Sequence, residues 1–248
     1  MSKKIALVTG GIGGIGTAIT EQLCSQGYFV VASHLEFEQE WASEWLAKQK
    51  EAGRDVSIAS GDVSSYESTK EMLDGIVAEF GPISVLVNCA GITRDGTLKK
   101  MPEENWSAVI NTNLNSLYNV TSQLVASMSD SGFGRIVNIS SVNGQKGQFG
   151  QTNYSAAKAG VHGFTMALAQ EVAAKGVTVN TVSPGYVETR MTAAIDEEIR
   201  NAIIATVPMK RMAQPSEIAH AVGFLCEEET AYITGANIPV NGGLFTSF

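Results

Sequence analysis

Residues 4–33 read KIALVTGGIGGIGTAITEQLCSQGYFVVAS, and this stretch decides the fold. The run at 4–9 (KIALVT) is almost continuously apolar, the pattern of a strand covered on both faces. Thr9-Gly10-Gly11-Ile12-Gly13-Gly14-Ile15-Gly16 follows it directly. A helical pattern then occupies 14–26, and a second apolar run, YFVVAS, occupies 28–33. A glycine-rich turn between a strand and a helix presents unpaired N–H groups at the positive end of the helix. It also lets a pyrophosphate approach the backbone.

The same alternation continues outward. Further strands are predicted at 55–60, 83–88, 134–140, 177–183 and 237–240, with helices near 38–52, 66–80, 103–130, 152–175, 195–206 and 215–228. Strand–helix alternation with two-sided burial predicts an α/β fold: a Rossmann-type doubly wound parallel sheet with helices on both faces. No linker, repeat or low-complexity tract divides the chain, so 1–248 reads as a single domain. In such sheets ligands bind beyond the carboxyl ends of the strands, so the informative residues are those that follow the strands.

Composition narrows the partners. The formal net charge of the 248 residues is -8, which argues against nucleic acid and against a membrane surface. Cys24, Cys89 and Cys226 show neither a CxxC nor metal-ligand spacing. They are expected as free thiols in a reducing compartment, with no metal site. The apolar run after Lys4 is too short for a signal peptide or a span, so a cytoplasmic location is expected.

At the end of the second strand a Rossmann fold usually carries an acid for the ribose 2′-OH. Here the place holds Ser33 and His34, with Glu36, Glu38 and Glu40 close behind. No Lys or Arg occurs between Lys4 and Lys48. A 2′-phosphate would meet carboxylates and no cation, so NADH is expected to serve at least as well as NADPH.

Residues 138–160 read NISSVNGQKGQFGQTNYSAAKAG. Tyr154 and Lys158 are four apart, hence on one helix face. Ser141 closes a predicted strand, and Asn113 falls in the long helix predicted before it. Taken singly, each has a plain structural explanation: a packed phenol, a snorkelling lysine, a capping serine. Together they supply carbonyl reduction. Reduction makes an oxyanion that must be protonated, and a phenol of pKa ~10 is poorly matched to that task at neutral pH. A neighbouring ammonium stabilises the phenolate, Ser141 can hydrogen-bond the carbonyl oxygen, and Asn113 can hold a water in a proton relay.

These residues resemble the short-chain dehydrogenase/reductase family over nearly the whole chain. The matching features are the turn Thr9–Gly16, Asp62-Val63, Asn88-Cys89-Ala90-Gly91, Asn113, Ser141, Tyr154, Lys158, Pro184-Gly185, Thr189 and Asn241-Gly242-Gly243. Cys89 departs from the family's usual asparagine. The resemblance implies a nicotinamide cofactor, NAD(P)H, held by Gly10, Gly14, Ile15, Gly16, Ser33 and His34. It implies that Asp62 and Val63 contact the adenine and that Asn88, Ala90 and Gly91 line the groove. Tyr154, Lys158, Pro184 and Gly185 are implied around the nicotinamide, with Thr189 at its carboxamide.

A closer resemblance is to the acetoacetyl-CoA reductases of bacterial polyhydroxybutyrate synthesis, carried by Val142–Tyr154, Gly91–Asp95 and Ser183–Tyr186. It implies reduction of acetoacetyl-CoA or a similar 3-oxoacyl-CoA to the (R)-3-hydroxyacyl ester. Asp95, Gln148, Phe149, Gln151 and Tyr186 are the implied substrate contacts. NADPH is the usual cofactor of that group, whose second-strand arginines are missing here. The resemblance also implies a homotetramer built on the helices at 103–130 and 152–175, whose apolarity extends around much of their surface. Residues 186–214, with Met191, Met209 and Met212, are expected as a substrate lid, although methionines there also suit ordinary packing.

Two other functions compete. Reduction of a 3-oxoacyl group on an acyl-carrier protein needs a basic docking patch, for which Lys99, Lys100, Lys210 and Arg211 are candidates against an acidic whole. A nicotinamide-sensing protein without turnover would have no need of Asn113, Ser141, Tyr154 and Lys158 together.

Overall fold

The apolar run after Lys4 forms β1 (Ile5–Val8), and the helical pattern behind the glycines forms α1 (Gly14–Ser25). β2 (Phe29–His34), α2 (Gln39–Glu51), β3 (Val56–Ser60), α3 (Tyr66–Phe80) and β4 (Ile83–Asn88) follow in order. Beyond them come β5 (Gly134–Ile139), β6 (Val177–Pro184) and β7 (Asn237–Val240). The computed structural model describes residues 3–189, 192 and 196–246.

All seven strands pair in parallel, in the order β3-β2-β1-β4-β5-β6-β7. The chain winds outward from β1 to β3, returns to β4 beside β1, and winds the other way. The topological switch therefore lies between β1 and β4, where a crevice opens at the strand ends.

Period-2 alternation explains the two-sided burial. Ala6 and Val8 of β1, Val30 and Ala32 of β2, and Val85 and Val87 of β4 face one layer. That layer holds Ile19 and Leu23 of α1, Trp45 of α2, and Ile218, Val222 and Leu225 of the helix at Pro215–Cys226. Ile5 and Leu7 face the other layer, against Met72, Leu73 and Ile76 of α3 and Ala169 and Val172 of the helix at Thr152–Val172. Both faces are covered, so the strands read as apolar runs rather than alternating ones.

Two expectations need correction. The stretch 103–130 is not one continuous helix. It comprises α4 (Glu103–Ile110), a π-helical turn at Asn111–Asn115, α5 (Ser116–Thr121) and α6 (Val125–Ser131). Apolar spacing does not distinguish an i→i+5 turn from the α-helix around it. The glutamine-rich stretch after Ser141 also begins with an unexpected short helix, α7 (Val142–Lys146). Ser141 caps it by accepting from the Asn143 N–H at 3.1 Å, and Gly147 ends it with φ +72°.

Among the described residues the later helices are α8 (Thr152–Val172), α9 (Glu197–Thr206) and α10 (Pro215–Cys226). Of the expected lid, Met191 lies outside the described residues. Met212 is core at 1% exposure, whereas Met209 is 65% exposed. Cys24, Cys89 and Cys226 are free thiols. No helix among the described residues is long and apolar enough to cross a membrane.

Candidate active site

The glycine turn is built by close approach. A Cβ on Gly16 would lie 2.2 Å from the Gly10 carbonyl oxygen, and one on Gly11 would lie 2.6 Å from Ala32 Cβ. These two glycines pack the helix and the turn against the sheet. Gly10 adopts φ +61°, with Ala90 Cα 3.0 Å from where its Cβ would sit. Gly14 faces Thr189, whose Cγ2 is 3.0 Å from the same imagined position. Thr189 is thereby brought to the turn from far along the chain.

No side chain caps the N-terminus of α1, and its first turn carries no acid. The first helical bond donated there is Thr17 N to Gly13 O at 2.7 Å. The N–H groups of Gly14, Ile15 and Gly16 precede it at the positive end of the helix, as an anion requires. Thr9 Oγ1 accepts from the N–H groups of Cys89 and Ala90 at 3.0 and 3.1 Å, locking the end of β1 to the end of β4 across the switch.

The end of β2 is arranged differently from the expectation for Ser33 and His34. Ser33 is buried, and its hydroxyl accepts from Gly10 N–H at 3.2 Å, so it supports the turn from beneath. His34 is buried with Nδ1 on the Leu35 carbonyl oxygen at 2.9 Å. Glu38 accepts from Leu35 N–H at 2.9 Å, which leaves Glu36 as an exposed carboxylate just past the strand. Asp62 is exposed and accepts from the amide and hydroxyl of Ser64. Val63 is buried, its carbonyl held by Asn119 at 3.0 Å.

Asn88 is buried and donates to Asn138 at 2.8 Å and to Thr121 at 3.2 Å. Asn138 donates to Thr165, which also accepts from Thr181, both at 2.9 Å. This polar chain crosses β4, β5 and β6 and ties them to α8. Sequence reasoning missed Asn138, Thr165 and Thr181. Each is paired with a residue far away in sequence, which no local pattern reveals.

The four chemical residues converge. Lys158 on α8 is 4% exposed, and its amine donates to the Ile139 carbonyl oxygen at 2.7 Å. The same nitrogen lies 5.8 Å from the Tyr154 ring centroid. Burial pulls the Lys158 ammonium down from 10.5 to about 8. Burial raises the Tyr154 phenol, while a hydrogen bond from Ser141 opposes the rise. The expected acidification of Tyr154 by Lys158 is therefore absent from these side chains as they stand. One lysine donor is committed to Ile139, and burial dominates the phenol.

Asn113 sits in the π-helical turn and is 2% exposed. Its Nδ2 donates to the carbonyls of Ile92 and Val109, both at 2.9 Å. Its buried Oδ1 has no partner among the described residues. A Cβ on Gly91 would lie 2.7 Å from that oxygen and 3.6 Å from Lys158 Nζ. Gly91 thus leaves open the space between Asn113 and Lys158, and an orphaned acceptor faces it. π-turns recur at functional sites because they reaim single side chains.

Two more residues, neither foreseen, position Lys158. Ser140 donates to the Lys158 carbonyl oxygen at 2.7 Å and contacts His162 Nε2 at 3.1 Å. A Cβ on Gly144 would lie 2.6 Å from the Lys158 carbonyl carbon, so α7 rests directly on the α8 backbone.

The expected substrate residues separate into two groups. Gln151 donates to Asp95 at 2.9 Å and accepts from Asn143 at 2.9 Å, beside the catalytic cap. Gln148 and Tyr186 instead line an open pocket of about 440 Å³ with Lys146, Leu244 and, from α9, Ile199, Ala202, Ile203 and Thr206. Phe149 is 88% exposed and is not among the lining residues. At the far rim Gly185 abuts Asn241, whose Cα is 2.9 Å from where a Cβ would sit. That contact explains why Pro184-Gly185 and Asn241-Gly242-Gly243 occur together.

A parallel sheet with a glycine turn at its switch, and Ser, Tyr, Lys and Asn gathered beside it, is the architecture of a nicotinamide-dependent carbonyl/alcohol oxidoreductase. The family model for short chain dehydrogenases matches residues 4–200, and the chain belongs to that family. Among its relatives, an acetoacetyl-CoA reductase of Allochromatium vinosum is 60% identical, covering 98% of each chain. One from Cupriavidus necator is 55% identical, covering 98% of this chain and 99% of its own. A 3-oxoacyl-(acyl-carrier-protein) reductase of Haemophilus influenzae is 44% identical over the full length of both.

Proposed function

We propose that the protein reduces acetoacetyl-CoA to (R)-3-hydroxybutyryl-CoA in polyhydroxyalkanoate synthesis. The observation that carries this is the convergence of Ser141, Tyr154, Lys158 and Asn113, with Ser141 joined through α7 to Lys146 of the pocket lined by Gln148 and Tyr186. The 60% and 55% identities to acetoacetyl-CoA reductases favour the CoA ester over the carrier-protein ester. Charge supports the same choice. Arg211, one candidate for carrier docking, is bound by both carboxylate oxygens of Glu217 at 2.6 Å, and Lys210 donates to the Ala205 carbonyl.

The residues fit a nicotinamide cofactor: the α1 N-terminus offers uncapped N–H groups, and Gly10, Gly14 and Gly91 keep the crevice open. When bound, the cofactor supplies the hydride. Gly10, Gly14, Ile15 and Gly16 hold its phosphates, Asp62 and Val63 its adenine end, Asn88, Ala90 and Gly91 its groove, and Pro184, Gly185 and Thr189 its nicotinamide end. Ser33 and His34 support this site from beneath.

Ser141 accepts from a backbone N–H and is hydrogen-bonded to Tyr154, so the two hydroxyls meet the substrate carbonyl oxygen together. Tyr154 delivers a proton to the forming alkoxide. Its raised pKa keeps that proton in place until the oxyanion demands it. Lys158 is charged below about pH 8, and its remaining donors stabilise the resulting phenolate. Asn113 Oδ1 anchors a water through which the proton is replaced. Asp95, Gln151, Gln148 and Tyr186 orient the acyl and pantetheine groups.

Cofactor choice follows from the end of β2. Exposed Glu36 repels a 2′-phosphate, so NADH serves at least as well as NADPH, although NADPH is the usual choice in the subfamily. We assign the protein to the cytoplasm as a homotetramer, supported by exposed Tyr118 on α5 and Met166 on α8. The test is steady-state reduction of acetoacetyl-CoA and of the carrier-protein ester, with NADH and NADPH at equal concentration. The CoA ester is expected to be preferred; far slower turnover of it overturns the substrate assignment.

A further inference from the structure

Lys146 ends α7 and, among the described residues, is the one charged side chain lining the pocket that contains Gln148, Tyr186, Ile199 and Ile203. Its amine donates to Gln148 Oε1 at 2.9 Å and to the Gly147 carbonyl at 3.3 Å. Both acceptors are neutral. No carboxylate pairs with Lys146 among the described residues, whereas Lys3, Lys4, Arg54, Lys70, Arg200 and Arg211 all have acidic partners. Among the described residues it is an exposed ammonium without a counter-charge on a pocket wall of otherwise uncharged side chains.

We propose that Lys146 is a specificity residue that anchors a phosphate of the CoA handle; this rests on the CoA-ester reading above. The handle presents an uncharged pantetheine arm and then phosphates. The pocket offers both kinds of chemistry, apolar side chains of Ile199 and Ile203 with Tyr186, and the cation of Lys146. Gln148 completes the match. Its amide oxygen is occupied by Lys146, so it presents its N–H groups, which suit the carbonyls of the arm. A net charge of -8 repels a polyanionic substrate overall, so a cation at the pocket counts. An ammonium is a compact phosphate partner.

Geometry links this anchor to the reacting group. Ser141 caps the start of α7 and Lys146 closes its end, about 7.5 Å of helix rise apart. Gly144 seats the same helix on the Lys158 backbone. The helix thus acts as a rigid spacer between the hydroxyl that holds the carbonyl and the cation that holds the handle.

The test compares acetoacetyl-CoA with acetoacetyl-pantetheine, which has the arm and no phosphate, in the wild type and in Lys146→Gln. The ratio of kcat/KM for the CoA ester to that for the pantetheine ester is expected to fall about fivefold in the variant at low ionic strength. Lys146→Arg is expected to restore most of the ratio, and added salt to lower it in the wild type. A ratio unchanged in Lys146→Gln overturns the assignment of Lys146 alone. A wild type that reduces neither ester overturns the CoA-ester reading and this inference with it.

Discussion

The Lys158 amine donates to the Ile139 carbonyl oxygen at 2.7 Å while lying 5.8 Å from the Tyr154 ring centroid. The strand that ends two residues before Ser141 therefore also holds the Lys158 amine. This bond fixes the amine but does not offset its burial, and the ammonium falls to about 8.

That shift sets a pH dependence. Reduction needs the ammonium to stabilise the phenolate, so kcat/KM is expected to be level below about pH 8 and to fall as pH rises through it. A pH–rate profile with saturating cofactor checks this. A profile flat to pH 10 contradicts it.

The same shift bears on stability. Below about 8 the folded and unfolded lysines are both charged, and the folded state carries the full desolvation cost. Between about 8 and 10.5 the folded lysine is neutral while the unfolded one still binds a proton, so the cost fades as pH rises. Lys158→Met should abolish turnover and yet raise Tm by several degrees at neutral pH, the gain shrinking towards pH 10. The shift corresponds to about 3 kcal/mol, offset in part by the bond lost at Ile139. Thermal melts of both proteins across that range read it directly.

Two glycine substitutions should diverge. Gly144→Ala drives a Cβ to 2.6 Å from the Lys158 carbonyl carbon, and the backbone there cannot yield easily. A loss of about 1–3 kcal/mol and a steep fall in activity are expected. Gly163→Ala, on the same helix α8, meets nothing within 4 Å and should stabilise by about 1 kcal/mol. Chemical denaturation of the pair checks the contrast.

Much of this site is legible in the sequence, for identifiable reasons. Two-sided burial makes β1, β2 and β4 apolar runs, and four-residue spacing puts Tyr154 and Lys158 on one face. The π-turn at Asn113 is invisible because its neighbours keep helical spacing. Helix α7 is invisible because it has five residues, one of them glycine, and no period to detect. The bonds from Ser140 to Lys158 and from Asn88 to Asn138 join residues 18 and 50 positions apart. No local pattern announces such pairs.

Cofactor choice gives a further prediction. Glu36→Arg should turn repulsion at the end of β2 into attraction, shifting the NADPH/NADH ratio of kcat/KM upward by about tenfold or more. An unchanged ratio means that the 2′ position lies away from Glu36.

Tyr154→Phe tests the central claim most directly. The phenol delivers the proton, so removing one oxygen should lower kcat for acetoacetyl-CoA reduction by about 10³-fold or more. Binding of NADH, followed by fluorescence, should stay within a few-fold of wild type. A variant that binds the cofactor and turns over at a near wild-type rate contradicts the account.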